Sequence, residues 1–133
     1  AIHKASEHDN EVLIESFLDG TEISCGVYFD GNNITALPIT EIVSENDFFD
    51  YEAKYNAKAA TKHIIPVKLN KYDLNEVMNI ALRAHNLIGC RGVTRPDFKF
   101  NKGKFYLLET NTQPGMTKLS LVPEIAAYSG MSF

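Results

Sequence analysis

The chain has 133 residues, of which 44% are hydrophobic and 23% charged; this is the size and composition of about one globular domain, and it argues against a disordered chain or a disulfide scaffold. With 13 basic and 17 acidic side chains the net charge is -4, which argues against nucleic acid or an anionic membrane as the main partner. No apolar run approaches the roughly 18 residues of a membrane span and the start carries no signal pattern, so the expectation is a soluble, cytoplasmic protein with no membrane partner.

A polar stretch, Ala5 to Glu11, leads without an initiator methionine into Val12–Leu18, a run with strand composition. A chain cut from a longer one is expected to look this way. Asp19-Gly20 is a turn signal before a second β-rich run from Glu22 to Phe29, and Asp30-Gly31 offers a tight hairpin into Ile34–Ile39, so the first third predicts an antiparallel meander. Cys25 and Cys90 lie far apart without Cys-x-x-Cys spacing and read as buried, reduced thiols.

Residues 44–61 follow neither the helical nor the strand period, and a long unpatterned segment inside a small domain predicts a functional loop, here a lid. Ile64–Val67 is a short strand. Leu74, Val77, Met78, Ala81, Leu82, Leu87 and Ile88 then recur at helical spacing, with Asn70 as N-cap and Gly89 as the closing glycine. A strand from Gly92 to Phe100, a turn at Asn101-Lys102-Gly103 and a strand from Lys104 to Asn111 predict a second hairpin. After it come an irregular turn, Thr112–Thr117, and a short amphipathic helix, Leu121–Ser129, with Pro123 in its first turn.

The second hairpin carries the acids. Side chains two apart on a strand share a face, so Arg95 and Asp97 point one way, and Glu109 and Asn111 point one way. Directly opposed residues share a face and their numbers have a constant sum, so a three-residue loop brings all four together. A two-residue loop puts Asp97 and Glu109 on opposite faces unless a bulge intervenes. If the faces coincide, Asp97, Glu109 and Asn111 offer hard oxygens to magnesium, which takes one or two carboxylates and fills its other positions with water or phosphate. The alternative is a surface hairpin whose charges are solvated.

The string Glu109-Thr110-Asn111-Thr112-Gln113-Pro114-Gly115-Met116-Thr117, with Ser120-Leu121-Val122-Pro123, resembles the closing motif of D-alanine-D-alanine ligases, members of the ATP-grasp fold. Val12-Leu13-Ile14-Glu15 with Gly20 and Glu22, Phe49-Asp50-Tyr51-Glu52-Ala53-Lys54-Tyr55, and Leu87-Ile88-Gly89-Cys90-Arg91-Gly92 match in the same order. The resemblance covers nearly all of the chain and implies an α+β fold, an ATP-grasp C-terminal lobe with an antiparallel sheet and flanking helices. Residues 1–22 would end the central lobe and 23–133 form the C-terminal catalytic lobe. The N-terminal domain and the phosphate-loop lobe would lie outside this sequence, leaving the fragment alone inactive.

The resemblance also implies roles. Glu15, Ser16 and Leu18 would hold the adenine edge, Glu22 the ribose hydroxyls, Phe48 the adenine face and Lys54 the phosphates. Tyr55 would close over the second D-alanine. Asp97, Glu109 and Asn111 would bind two magnesium or manganese ions, Arg95 and the Gly115 N–H would stabilise the oxyanion, and Ser120 would bind the second carboxylate. Ser120 is equally suited to capping the helix that follows. ATP and two D-alanines are the implied substrates, the dipeptide goes to peptidoglycan, and the full-length enzyme would be a homodimer. The alternatives are a related ligase with another acceptor, D-lactate being nearest, and a non-catalytic nucleotide- or magnesium-binding fragment. Two residues depart from the family pattern. Pro96 requires an edge strand or one lost ladder bond, and Leu119 stands where many members have histidine.

Overall fold

The computed structural model describes residues 1–44 and 61–133. The two ends of the predicted lid, Ser44 and Thr61, pair as strand residues, and the rest of it, with Phe48, Lys54 and Tyr55, lies outside the described residues. The elements are α1 (Ile2–Ser6), β1 (Thr21–Ser24), β2 (Val27–Phe29), β3 (Ile34–Ala36), β4 (Thr40–Ser44), β5 (Thr61–Ile64), α2 (Lys71–Ile88), β6 (Val93–Asn101), β7 (Lys104–Asn111) and α3 (Leu121–Tyr128). All strand pairings are antiparallel.

The organising strand is β6. Along one edge it pairs first with β2 and then with β1, and along the other with β7. This corrects the predicted meander: β1 and β2 do not pair with each other but lie end to end against β6, broken at Cys25-Gly26. The hairpin predicted at Asp30-Gly31 does join β2 to β3; the Asp30 side chain accepts from the Asn32 and Asn33 N–H groups at 2.8 and 2.7 Å and closes the turn.

Pro96 fits this interruption. It is fully buried in the central strand and not at an edge; its carbonyl accepts from Cys25 N–H at 3.0 Å. The nitrogen and carbonyl of a strand residue face the same edge, so the missing donor falls beside the gap between β1 and β2. One ladder bond is lost where the ladder is already broken.

Helix α2 covers one face of the sheet. Its start is the predicted one: Asn70 Oδ1 accepts from Asp73 N–H at 2.9 Å while Asn70 Nδ2 donates to the Asp73 carboxylate at 2.7 Å. Gly89 ends it with φ 74°. Val77 and Ala81 pack with Ile23, Val27, Ile39 and Phe98 in the main core. Leu87 and Ile88 do not join that face and are exposed; in the last turn it is His85 that meets the sheet, fully buried with Nδ1 2.8 Å from Thr94 Oγ1 of β6. Cys25 is buried, and burial pushes its thiol up to about 12, whereas Cys90 is only half-buried, contrary to expectation. On the opposite face α3 sets Leu121, Val122 and Ile125 against Leu37, with Ile42 and Val93 beside them.

Val12–Leu18 is not a strand: it takes part in no ladder among the described residues, and Leu13, Ile14 and Phe17 are 81%, 73% and 84% exposed. Strand composition produces a strand only where a neighbouring edge receives its backbone. At the next turn Gly20 has φ 134°, and a Cβ there would lie 2.4 Å from the Phe100 carbonyl oxygen. Gly20→Ala is expected to cost about 1–3 kcal/mol through backbone strain and the displaced strand end, read as a lower urea midpoint.

Candidate active site

The loop of the second hairpin has two residues, not three: Asn101 pairs with Lys104, and Lys102 and Gly103 turn the chain with φ 50° and 76°, the sign pattern of a type I′ turn. By parity alone Asp97 and Glu109 would then face apart. A bulge restores them. Phe98 pairs with Leu107 but Asp97 pairs with Glu109, so Leu108 is the additional residue and every position beyond it changes face.

Arg95, Asp97, Glu109 and Asn111 therefore share one face, Asp97 opposite Glu109 and Arg95 opposite Asn111. Across the other edge of β6, Ser24 lies opposite Asp97 and Glu22 opposite Lys99. Phe98, pointing the other way, is fully buried under α2, while Leu107 and Leu108 on the outer strand stay 45% and 47% exposed. The hairpin is thus buried on one side only along β6, a narrower burial than the interleaved apolar residues predict.

Polar contacts tie this face together. Arg95 grips Asp97 with Nε at 3.0 Å from Oδ1 and Nη2 at 2.8 Å from Oδ2, a two-point guanidinium–carboxylate pair. Burial alone would lower the Arg95 guanidinium, but the hydrogen bond and charge of Asp97, with the charges of Glu109 and Glu22, raise it above its ordinary value. Ser24 Oγ donates to Asp97 Oδ1 at 2.5 Å. Lys99 Nζ lies 3.3 Å from Glu22, and Asn111 Oδ1 accepts from Gln113 N–H at 3.0 Å, shaping the turn after β7.

In that turn a Cβ on Gly115 would lie 2.9 Å from Ser120 Oγ. Ser120 occupies the N-cap position of α3 but makes no capping bond with its side chain; its Oγ accepts from Thr117 N–H at 3.0 Å and meets Thr117 Oγ1 at 2.9 Å. The hydroxyl is turned into the glycine turn. One helical turn later Glu124 reaches His63 of β5 at 2.6 Å and fastens α3 across the same side of the sheet.

Of the residues singled out in the sequence, Glu22, Arg95, Asp97, Glu109 and Asn111 are gathered on one face, and Gly115 and Ser120 meet in the adjoining turn. Glu15, Ser16 and Leu18 are not brought to them: they lie in the unpaired segment, Glu15 and Ser16 exposed. Sequence reasoning missed Ser24, Lys99 and the His63–Glu124 pair. Period-2 alternation from Glu22 marks Ser24, but its partner is 73 residues away.

The donor set is two carboxylates and an amide oxygen. Among the described residues no three His, Cys, Asp or Glu side chains cluster as a metal site, so a closed protein cage is absent there. An open set of three hard oxygen donors suits an ion that keeps waters and takes phosphate oxygens, which is the habit of magnesium.

Comparison with known proteins accounts for the whole chain. The family model described as D-ala D-ala ligase C-terminus matches residues 1–133. A D-alanine--D-alanine ligase of Pelagibacter ubique is 57% identical over 124 residues, covering 93% of this chain and 40% of the relative. A Bacillus anthracis D-alanine--D-alanine ligase structure superposes with TM-score 0.78 at 34% identity, covering 98% of this chain and 42% of that one; another from that organism, complexed with ATP, gives 0.71 at 29% identity over 89% of this chain and 35% of that one. The VanG D-Ala:D-Ser ligase of Enterococcus faecalis gives 0.77 at 29% identity, with 98% and 38% covered. The chain spans about 40% of the length of the curated relatives it matches, and among the described residues no helix is long and apolar enough to cross a membrane. An antiparallel sheet with flanking helices, a bulged hairpin of acids and a match along its whole length all lead to one assignment: the chain belongs to the D-ala D-ala ligase C-terminus family.

Proposed function

We propose that this chain is the C-terminal catalytic part, residues 23–133, with the end of the central lobe, residues 1–22, of an ATP-dependent ligase that joins two D-alanines for peptidoglycan synthesis. The observation that carries the reading is the bulge at Leu108, which gives Asp97, Glu109, Asn111 and Arg95 a common face. The rest of the enzyme would supply the remaining ATP contacts and the first D-alanine site. The same reading includes a homodimer of the whole enzyme in the cytoplasm.

Asp97, Glu109 and Asn111 would hold two magnesium or manganese ions, whose chemistry when bound is to neutralise phosphate oxygens. Arg95 is a fixed cation beside those acids and would stabilise the charge that develops on the oxyanion as the second amine attacks the acyl-phosphate. The Gly115 N–H would be its second donor, since the absent side chain leaves the backbone open to close approach. Ser120 Oγ, turned away from capping, would bind the second D-alanine's carboxylate. Glu22 would exchange Lys99 for ribose hydroxyls. Glu15, Ser16 and Leu18 would line the adenine edge, with Phe48 over the ring, Lys54 on the phosphates and Tyr55 over the acceptor.

Phosphate release from ATP by the full-length enzyme carrying this chain tests the reading. Release should require D-alanine and magnesium. Release with D-lactate or D-serine in place of the second D-alanine would reassign the acceptor; the similar superposition on a D-Ala:D-Ser ligase favours this second reading over any unrelated one. Nucleotide binding without turnover would leave only a binding module. Gly115→Ala should displace Ser120 Oγ and raise the KM for the acceptor roughly tenfold, the value of one hydrogen bond to a charged group, while the KM for ATP stays unchanged.

A further inference from the structure

Four residues face one another in a lateral row across the sheet: Thr40 on β4, Ser24 on β1, Asp97 on β6 and Glu109 on β7. Thr40 and Ser24 are fully buried, Asp97 is 9% exposed and Glu109 is open to solvent. The row therefore runs from the sheet interior to the candidate metal face. A serine hydroxyl has one proton to give, and Ser24 gives it to Asp97 Oδ1 at 2.5 Å, the short distance expected for a hydroxyl on a carboxylate. Thr40 Oγ1, next in the row, is buried and has no partner among the described residues, so it does not share in holding Ser24 or Asp97.

Two groups hold Asp97, and they differ in burial. Arg95 meets it from the open face of the strand, its side chain 21% exposed. Ser24 has a single side-chain torsion and is packed on every side. We infer that Ser24 is a positioning residue for Asp97: its hydroxyl, fixed from inside the sheet, holds Oδ1 and so sets the plane of a carboxylate that Arg95 grips at both oxygens, leaving the remaining lone pair, on Oδ2, to a divalent cation. The inference rests on the reading of Asp97 as a metal ligand. Outer-sphere partners of this kind typically govern 10–100-fold of metal affinity.

The test uses the full-length enzyme carrying this chain, at a fixed ADP concentration, titrated with Mn2+ while the electron paramagnetic resonance signal of the free ion is followed. Ser24→Ala should weaken Mn2+ binding roughly 10–100-fold, and Ser24→Thr, which keeps a hydroxyl on the same carbon, should restore most of it. Thr40→Val lies in the same buried row but removes a hydroxyl that holds nothing, so its Mn2+ affinity should equal the wild type's. If Ser24→Ala does not fold, Ser24→Cys preserves the volume with only a weak donor and should show the same weakening. Wild-type Mn2+ affinity in a folded Ser24→Ala or Ser24→Cys protein, even with lowered stability, would mean that Ser24 merely satisfies a buried carboxylate, and overturns the inference. Asp97→Asn separates the two levels. If it leaves Mn2+ binding unchanged, the ligand assignment falls and the inference with it; if it loosens Mn2+ while the Ser24 variants do not, only the inference falls.

Discussion

Phe98→Ala is expected to destabilise the protein by about 3–5 kcal/mol, the range for truncating a buried aromatic side chain. Phe98 is fully buried opposite Ile23 and belongs to the core beneath α2, with Val77 and Ala81. Truncation removes the largest of the fully buried side chains from the middle of the strand on which β1, β2 and β7 all depend. Against a typical total of about 5–15 kcal/mol this is a large share, so the urea midpoint should fall steeply. The cross-strand partner provides the contrast: Leu107 is 45% exposed, and Leu107→Ala should cost under about 1 kcal/mol. Phe98 and Leu107 share a face, so equal losses at the two positions would contradict burial of that face along β6 alone. Asp97 adjoins Phe98, so the metal binding proposed for Asp97 should weaken in Phe98→Ala along with stability even though the acids are intact.

What could be read in the sequence was what neighbouring residues decide among themselves. Asn70, the apolar spacing from Leu74 to Leu82, and Gly89 mark α2 because capping and periodicity are local, and the structure places its ends there. The hairpin strands were legible for the same reason, and so was the parity condition on their loop. The bulge was not: nothing in Leu107-Leu108-Glu109 distinguishes the residue that will lack a partner, and the choice is made by Phe98 seeking the core while Asp97 is held by Ser24 from across the sheet. Val12–Leu18 shows the same limit from the other side. Its composition is that of a strand, yet a strand is completed by a neighbour, and none pairs with it among the described residues. The meander failed likewise, since which edge β1 and β2 join is settled by β6, about 70 residues further along the chain. Ser24 was invisible until that pairing was known.

Removing the guanidinium at Arg95 is the prediction on which the proposed chemistry depends most. Arg95→Ala in the full-length enzyme carrying this chain should lower kcat about 10²–10³-fold, the usual loss when one preorganised donor to a developing oxyanion is deleted. In the proposed role Arg95 would act on charge that exists only in the transition state, so kcat and kcat/KM should fall together while the KM for ATP holds. Arg95→Lys should recover little. The contact on Asp97 uses both Nε and Nη2, and an ammonium cannot reproduce a two-point fork. The pH profile gives an independent check. The acids around it raise the guanidinium above its already high ordinary value despite burial, so the protonated form is the one favoured by folding and persists throughout the neutral range. The loss in Arg95→Ala should therefore be uniform from acid to mildly alkaline pH, displacing the whole profile downward without moving its limbs. A loss confined to one limb would mean that Arg95 works by tuning the ionisation of Asp97 or Glu109, and an unchanged kcat would remove it from the chemistry altogether.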